Sequence, residues 1–244
     1  MTPSIAVFAG PSLPPPARPQ DPRLTWLPPA QAGDGLLIDP AACRCVVLID
    51  GLFDATPAVR HKELTVLLSR GVPVIGAASM GALRAAELDT CGMVGVGRIY
   101  RAYAQGRLVG DDEVALLHGP AEAGWLALTE PLVNVRATLV RAVRERVLEP
   151  SVARRWLRLA ADTFYQDRTW PLLMTLAAEA RLPGIVTFEP WLPAGRVDQK
   201  RADALEAIAL ALAGDLPPPR CAPPPATTFT ARLSELARMR RQPA

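Results

Sequence analysis

Short apolar runs alternating with helix-period patterns in the first half, and nearly continuous helical periodicity in the second, predict an α/β protein. The expected architecture is a parallel-sheet, Rossmann-like N-terminal part with a mainly helical C-terminal half. Ser4 to Ala9 is the expected first strand, and the prolines at 14 to 16 stop the following loop from continuing as helix or sheet. Cys45 to Ile49 (CVVLI) is the clearest buried strand. Thr56 then reads as the cap of a helix with Pro57 at its first position, which runs through HKELTVLLS and stops at Gly71. Val72 to Ala77 is the next strand, and Ser79 opens a helix that reaches Leu88. Met93 to Ile99 reads as a further strand weakened by its glycines. Asp111 to Leu117 is a short acidic-capped segment. Leu132 to Leu148, Ser151 to Ala161, Trp170 to Ala180 and Val197 to Ala213 are the expected helices of the second half. These elements form one expected core domain, residues 1–214. A proline-rich linker, 215–228, and a basic C-terminal helix, 229–244, follow it.

The chain has 244 residues, half of them hydrophobic, which is enough for a sizeable core. Its net charge of +3 is spread out until the C-terminus, too weak a bias to point to nucleic acid. No apolar run approaches membrane-spanning length, and MTPSIAVFAGPS lacks a basic n-region and the length of a signal peptide. A cytoplasmic protein is expected. Four cysteines, Cys43, Cys45, Cys91 and Cys221, have neither metal-ligand nor disulfide-framework spacing, and only two histidines accompany them, so no metal site is expected. Cys43 and Cys45, two apart on a strand, are expected to face one side of the core.

The most informative stretch is GAASMGALRAAEL, Gly76 to Leu88, which puts a hydroxyl where an apolar strand becomes a helix. The helix N-terminus would aim N–H groups at an oxyanion beside Ser79, and the small residues around it would let a substrate approach. An ordinary N-cap serine is the structural alternative. In a parallel sheet, ligands bind at the carboxyl ends of the strands. That edge collects Gly10 to Ser12, Asp50 with Gly51, the first turn carrying His61, and Ser79. His61 shares the face of Leu64, Leu67 and Leu68 and is expected to point toward the sheet, with Lys62 and Glu63 turned away. His118 follows Asp111, Asp112 and Glu113, whose acids would complement a short helix or orient a base. Arg84, Asn134 and Arg136 could bind a carboxylate, Arg84 alternatively pairing with Glu87. The expected catalytic residues are therefore Ser79, His61, His118 and Asp50. The expected substrate-binding residues are Gly10, Ser12, Gly51, Lys62, Gly76, Met80, Gly81, Arg84, Asn134 and Arg136. Neither a dinucleotide fingerprint nor a phosphate-binding lysine loop is present, and no cofactor is expected.

Taken in order, VFAGPSLP, VVLIDGLFDATPAVRHKEL, SRGVPVIGAASMGALRAAEL, GMVGVGRIY, DDEVALLHGPAE and PLVNVRATL resemble the TfuA-like core domain from the N-terminus to about Leu139. VDQKRADAL near Val197 is similar to the family's later conserved region. The resemblance implies a helper of a YcaO-type ATP-dependent enzyme, which replaces a peptide-bond oxygen by sulfur. It also implies hydrolysis of a thiocarboxylated ThiS-like sulfur carrier to release sulfide. The alternative is a noncatalytic adaptor that docks carrier or peptide onto YcaO, and a weaker third reading is a carboxylate-binding protein. AASMGA is also similar to the nucleophile segment of Clp-type serine proteases, although their histidine follows the serine more closely than His118 follows Ser79. His61 and His118 are thus both expected as possible bases. The basic C-terminal segment, with Phe229, Leu233, Leu236 and Met239 at near-helical spacing, is expected either to pack on the core or to engage a partner.

Overall fold

A computed structural model describes residues 4–52, 56–219, 221–223, 231, 232, 235, 238 and 239. The chain falls into two compact units, Met1–Leu108 with Arg201–Ala244, and Val109–Lys200. The first unit is built on five parallel strands, β1 (Ser4–Phe8), β2 (Leu24–Leu27), β3 (Cys43–Leu48), β4 (Val74–Gly76) and β5 (Val94–Gly95), in the order β2-β1-β3-β4-β5. Its helices are α1 (His61–Ser69), α2 (Met80–Leu88), α3 (Gly97–Ala104) and nearly all of α8 (Gln199–Ala213). The architecture is the Rossmann-like α/β arrangement that the alternating pattern predicts.

The period-2 alternation of the strands decides how the sheet is covered. Ala6, Phe8, Val46, Leu48 and Val74 face α1 and α2, against Leu64, Leu67, Met80 and Ala85. Ile5, Val7, Cys45, Val47 and Ile75 face Ala204, Ala207, Ile208 and Ala211 of α8. Burial on both sides is the reason these strands read as continuous apolar runs. Cys43 and Cys45 are both buried, but on opposite faces. The register steps from Ser4–Cys43 to Ile5–Cys45, so Arg44 is an extra residue in β3 and the bulge reverses the expected alternation.

Several local expectations are corrected. The helix expected from Thr56 and Pro57 begins at His61, because residues before it make other bonds: Ala32 donates to the Pro57 carbonyl, and Ala58 bridges Gln31. The capping group is Glu63, whose carboxylate accepts the Arg60 N–H at 2.6 Å. It also accepts from Gly33 at 2.9 Å and Gly35 at 3.0 Å, so Glu63 is buried rather than turned away. The strand expected over Met93 to Ile99 is cut to Val94–Gly95, and α3 starts at Gly97. Buried Asp203 on α8 accepts the Ile99 N–H at 2.8 Å and caps α3 from far along the chain. Gly97 has φ +92°, and a Cβ there would lie 2.3 Å from Asp203 Cγ, so glycine is required on both counts.

The second unit contains α4 (Leu132–Arg144), α5 (Pro150–Asp162), α6 (Trp170–Glu179) and α7 (Ile185–Gly195). Trp156, Trp170, Leu173 and Phe188 share its core, with the Trp156 and Phe188 ring centres 5.0 Å apart. Helix α7 is absent from the sequence expectation because Pro190 and Pro193 lie inside it. Its buried Phe188 and Leu192 anchor it nonetheless. Among the described residues no helix is long and apolar enough to cross a membrane. The linker expected over 215–228 is described at 215–219 and 221–223, without regular structure, and the rest lies outside the described residues. Of the expected helix 229–244, the described residues are 231, 232, 235, 238 and 239, all helical. Phe229, Leu233 and Leu236 lie outside that set.

Candidate functional site

Three loops leave the carboxyl ends of β1, β3 and β4 in the first unit, and each is held differently. After β3, buried Asp50 spends its carboxylate on the loop after β1. It accepts from the Gly10 N–H at 2.8 Å, the Ser12 N–H at 3.0 Å and the Ser12 hydroxyl at 2.6 Å. This clamp ties Asp50 to Gly10 and Ser12, and the three together shape the edge. Gly51 follows and bridges Ala30, with space for a Cβ denied by Met80 Cγ at 2.8 Å.

After β4 the chain makes a three-residue turn. The Ser79 N–H donates to the Ala77 carbonyl at 2.7 Å, and Ala78 between them has φ +65°, a conformation costly for any residue with a Cβ. Ser79 follows with φ −123° and ψ −124°, outside both the helical and extended basins. It occupies the N-cap position, yet its hydroxyl caps no backbone N–H of α2 among the described residues. Its carbonyl accepts from Ala82 and Leu83, while the Gly81 N–H is taken by the Ile49 carbonyl at 3.2 Å. The Met80 N–H has no backbone acceptor among the described residues. An unspent N–H directly after a hydroxyl residue is the arrangement an oxyanion uses.

The small residues here are not the open surface that the sequence suggests. Gly76, Ala77, Ala78, Gly81 and Ala82 are buried, because α2 crosses the strands with backbone against backbone. A Cβ on Gly81 would lie 1.8 Å from the Leu48 carbonyl oxygen, and one on Gly76 2.1 Å from that of Gly81. These glycines are spacers that let the Ser79 turn sit on the sheet.

His61 is exposed and does not face the sheet. Its Nε2 meets Glu87 Oε2 at 2.7 Å, and the same oxygen accepts from Arg84 Nη1 at 2.6 Å. Because a carboxylate oxygen accepts, Nε2 carries the hydrogen and Nδ1 is the basic nitrogen of the neutral ring. Glu87 lies eight positions beyond Ser79, about 12 Å along the helix axis. His61 is therefore engaged two turns away from the Ser79 end of α2. Arg84 also donates to the Val59 carbonyl at 3.0 Å, so it ties α2 to the segment before α1. Lys62 is exposed. The inward face of α1 excludes His61 because the first-turn residue facing inward is Glu63, already fixed by three N–H groups.

In the second unit, His118 Nδ1 donates to the Gly119 carbonyl at 2.8 Å, and its ring stands edge-on to Trp125 with centres 5.4 Å apart. Glu113 is buried and takes a two-bond contact from Arg136, at 2.9 and 2.6 Å, instead of complementing a helix end. Arg136 is thereby spent on a protein carboxylate. Asn134 accepts from the Lys200 N–H at 3.1 Å and donates to Asp198 at 3.2 Å. The Lys200 ammonium, buried, donates to the Val114 carbonyl at 2.8 Å. Arg168, also buried, donates to the Ala160 and Thr163 carbonyls, and burial pushes its pKa down. Neither buried cation figures among the sequence-predicted site residues. Lys200 does share the helical face of Ala204, Ala207 and Ala211, a charge on an apolar stripe that was readable.

Residues 50–169 match the family model described as TfuA-like protein. Over this span the chain is similar to TfuA-like proteins. The match begins at Asp50, later than the resemblance read from the sequence, and continues beyond Leu139 to Thr169. It takes in Ser79, His61, Arg84, His118, Asn134 and Arg136, and omits Gly10 and Ser12. No curated protein matches the sequence.

Proposed function

We propose that this TfuA-like protein assists YcaO-dependent peptide-backbone thioamidation by releasing sulfide from a thiocarboxylated ThiS-like carrier at Ser79. The strained turn at Ala78 carries this reading. Backbone strain persists only where surrounding structure imposes it, and here it immediately precedes a hydroxyl that does not cap its helix. In the proposed step, Ser79 Oγ attacks the carbonyl carbon of the thiocarboxylate, and the Met80 N–H stabilises the oxyanion. The carbon–sulfur bond breaks, the serine proton leaves with the sulfur as hydrosulfide, and an acyl ester remains on Ser79. Water then cleaves the ester to carrier carboxylate and a proton. Because the departing sulfur accepts the serine proton, the first step does not depend on His61, held by Glu87 further along α2.

A noncatalytic adaptor, docking carrier or peptide onto the YcaO-type enzyme, is the second reading. Burial favours it: Ser79 is 4% exposed, so only a slender segment such as a flexible carrier tail reaches it. Purified protein mixed with thiocarboxylated carrier, with the YcaO-type enzyme absent, separates the two. The hydrolytic reading expects sulfide from the wild type and at least ~100-fold less from a folded Ser79→Ala protein, the scale of losing one reacting or oxyanion group. Thioamidation that needs the protein while it alone yields no sulfide supports the adaptor.

A further inference from the structure

The second unit carries a hairpin whose apolar face is uncovered. Between Leu117 and Thr129 the chain doubles back: the Gly119 N–H donates to the Leu126 carbonyl at 2.8 Å, the Leu128 N–H to the Leu117 carbonyl at 2.8 Å, and His118 lies opposite Ala127. The Leu117 N–H donates to the Thr129 hydroxyl at 2.7 Å and closes the base. Successive side chains on such a ladder alternate between its two faces, and opposed residues share one. His118, Trp125 and Ala127 therefore take one face, where the two rings meet, and Leu117, Leu126 and Leu128 take the other. These leucines are 40%, 61% and 52% exposed. Glu122, in the turn, is the only acidic residue between Glu113 and Glu130, and it forms no ion pair among the described residues.

A surface of opposite charge lies on the same unit. An open groove of about 470 Å³ runs between α5 and α6, with Leu159, Leu176 and Leu182 at its floor and Arg155, Arg158 and Asp162 along its rim. Arg155 and Arg158 are exposed, and neither makes a hydrogen bond or ion pair among the described residues. We propose that the leucine face of the hairpin seats in the α5–α6 groove of a second copy of this chain, with Glu122 meeting Arg155 and Arg158. A contiguous exposed apolar patch marks an interaction surface, and the groove floor supplies apolar cover for it. The single carboxylate of the hairpin and the two unspent guanidinium groups are opposite in sign, which fixes the register of the contact. The chain's own C-terminal segment, with Arg232, Arg238, Arg240 and Arg241, has the wrong sign for this groove. One hairpin in one groove is small beside the total of about 1,200–2,000 Å² that a stable interface buries. Reciprocal exchange, each hairpin in the other copy's groove, doubles the contact and is the self-complementary arrangement of a two-fold dimer. The closed base and hydrogen-bonded turn set the hairpin's shape before contact, so little ordering is lost on association.

The test is sedimentation equilibrium of the full chain over a range of concentrations, with variants at exposed positions only. The wild type should pass from one to two chain masses as concentration rises. Leu126→Asp with Leu128→Asp, and separately Arg155→Glu with Arg158→Glu, should each raise the midpoint at least ~30-fold, the scale of losing one anchor at an interface. Unchanged thermal melting of each variant shows that the fold is retained. Glu122→Arg should weaken association alone and restore it when combined with Arg155→Glu and Arg158→Glu, a rescue that a merely structural effect does not give. A wild type that stays monomeric at every concentration reached would assign the two surfaces to other partners and overturn the proposal. So would a dimer indifferent to either pair of substitutions, or a charge reversal without rescue.

Discussion

The buried carboxylates of the first unit and its Ser79 turn contrast in how completely their polar groups are used. Asp50 and Glu63 each take three donors, and each joins segments distant in sequence. Ser79, in the turn after β4, has a hydroxyl that caps no backbone N–H of α2 among the described residues and a strained residue before it. Saturated groups of this kind hold a structure in place, since further bonding would require breaking an existing one. Unspent groups held at a cost in backbone strain are the ones left for a ligand. By this criterion, Asp50 moves from the expected catalytic set to the scaffold, and Ser79 stays in the proposed site.

The comparison breaks most severely if Asp50 is dispensable. Asp50→Ala leaves the Gly10 and Ser12 N–H groups and the Ser12 hydroxyl without their buried acceptor. Orphaned buried groups cost about 1–3 kcal/mol each, so a loss of several kcal/mol is expected in urea unfolding. A variant with wild-type stability and no sulfide release would instead return Asp50 to the catalytic set.

Glu63 sharpens the comparison through pH. Burial raises its pKa above the ordinary carboxylate range, against the lowering effect of its three backbone N–H bonds. A folded pKa above the unfolded one means the folded state binds the proton more tightly. The Glu63 contribution is therefore fully present below the unfolded value and is lost as pH rises from there through the folded value. Glu63→Gln cannot ionise, so its unfolding free energy relative to wild type should change across that window and level off above it. A difference independent of pH would show that Glu63 has equal proton affinity in both states.

The two regions were also unequally legible. Strands β1, β3 and β4 and the Ser79 junction could be read locally, because burial on both faces leaves continuous apolar runs and small residues mark the crossing of α2. The clamps could not, since their partners are distant: Glu63 meets Gly33 and Gly35, and Asp203 sets the start of α3 at Ile99. His61 is illegible from the sequence for a related reason. The helical face pattern placed it with three leucines, while the inward position of that first turn belongs to a carboxylate whose donors the pattern does not contain. Strand β2 carries no local signal, because LTWL is four residues long and follows a proline-rich polar stretch, so neither length nor periodicity marks it. Strain at Ala78 was invisible, because alanine carries no signal for a positive φ.

That strain supplies the smallest effect and the most direct test of the criterion. Ala78→Gly relieves the positive φ, worth about 1–2 kcal/mol for a residue with a Cβ, while the added freedom of glycine in the unfolded chain costs about 0.4–1 kcal/mol. Removing the buried methyl opposes the gain further, so the net change in stability should stay within about 1 kcal/mol of zero. Catalysis should respond differently. If the turn holds Ser79 and the Met80 N–H in a reactive geometry, a more permissive residue at 78 lowers the rate of sulfide release while binding of the carrier, read by titration, is unchanged. Equal release by Ala78→Gly and wild type would mean that the strain is a by-product of seating α2 on β3 and β4, where Gly76 and Gly81 already require a close approach. The turn would then belong with Asp50 and Glu63 in the scaffold.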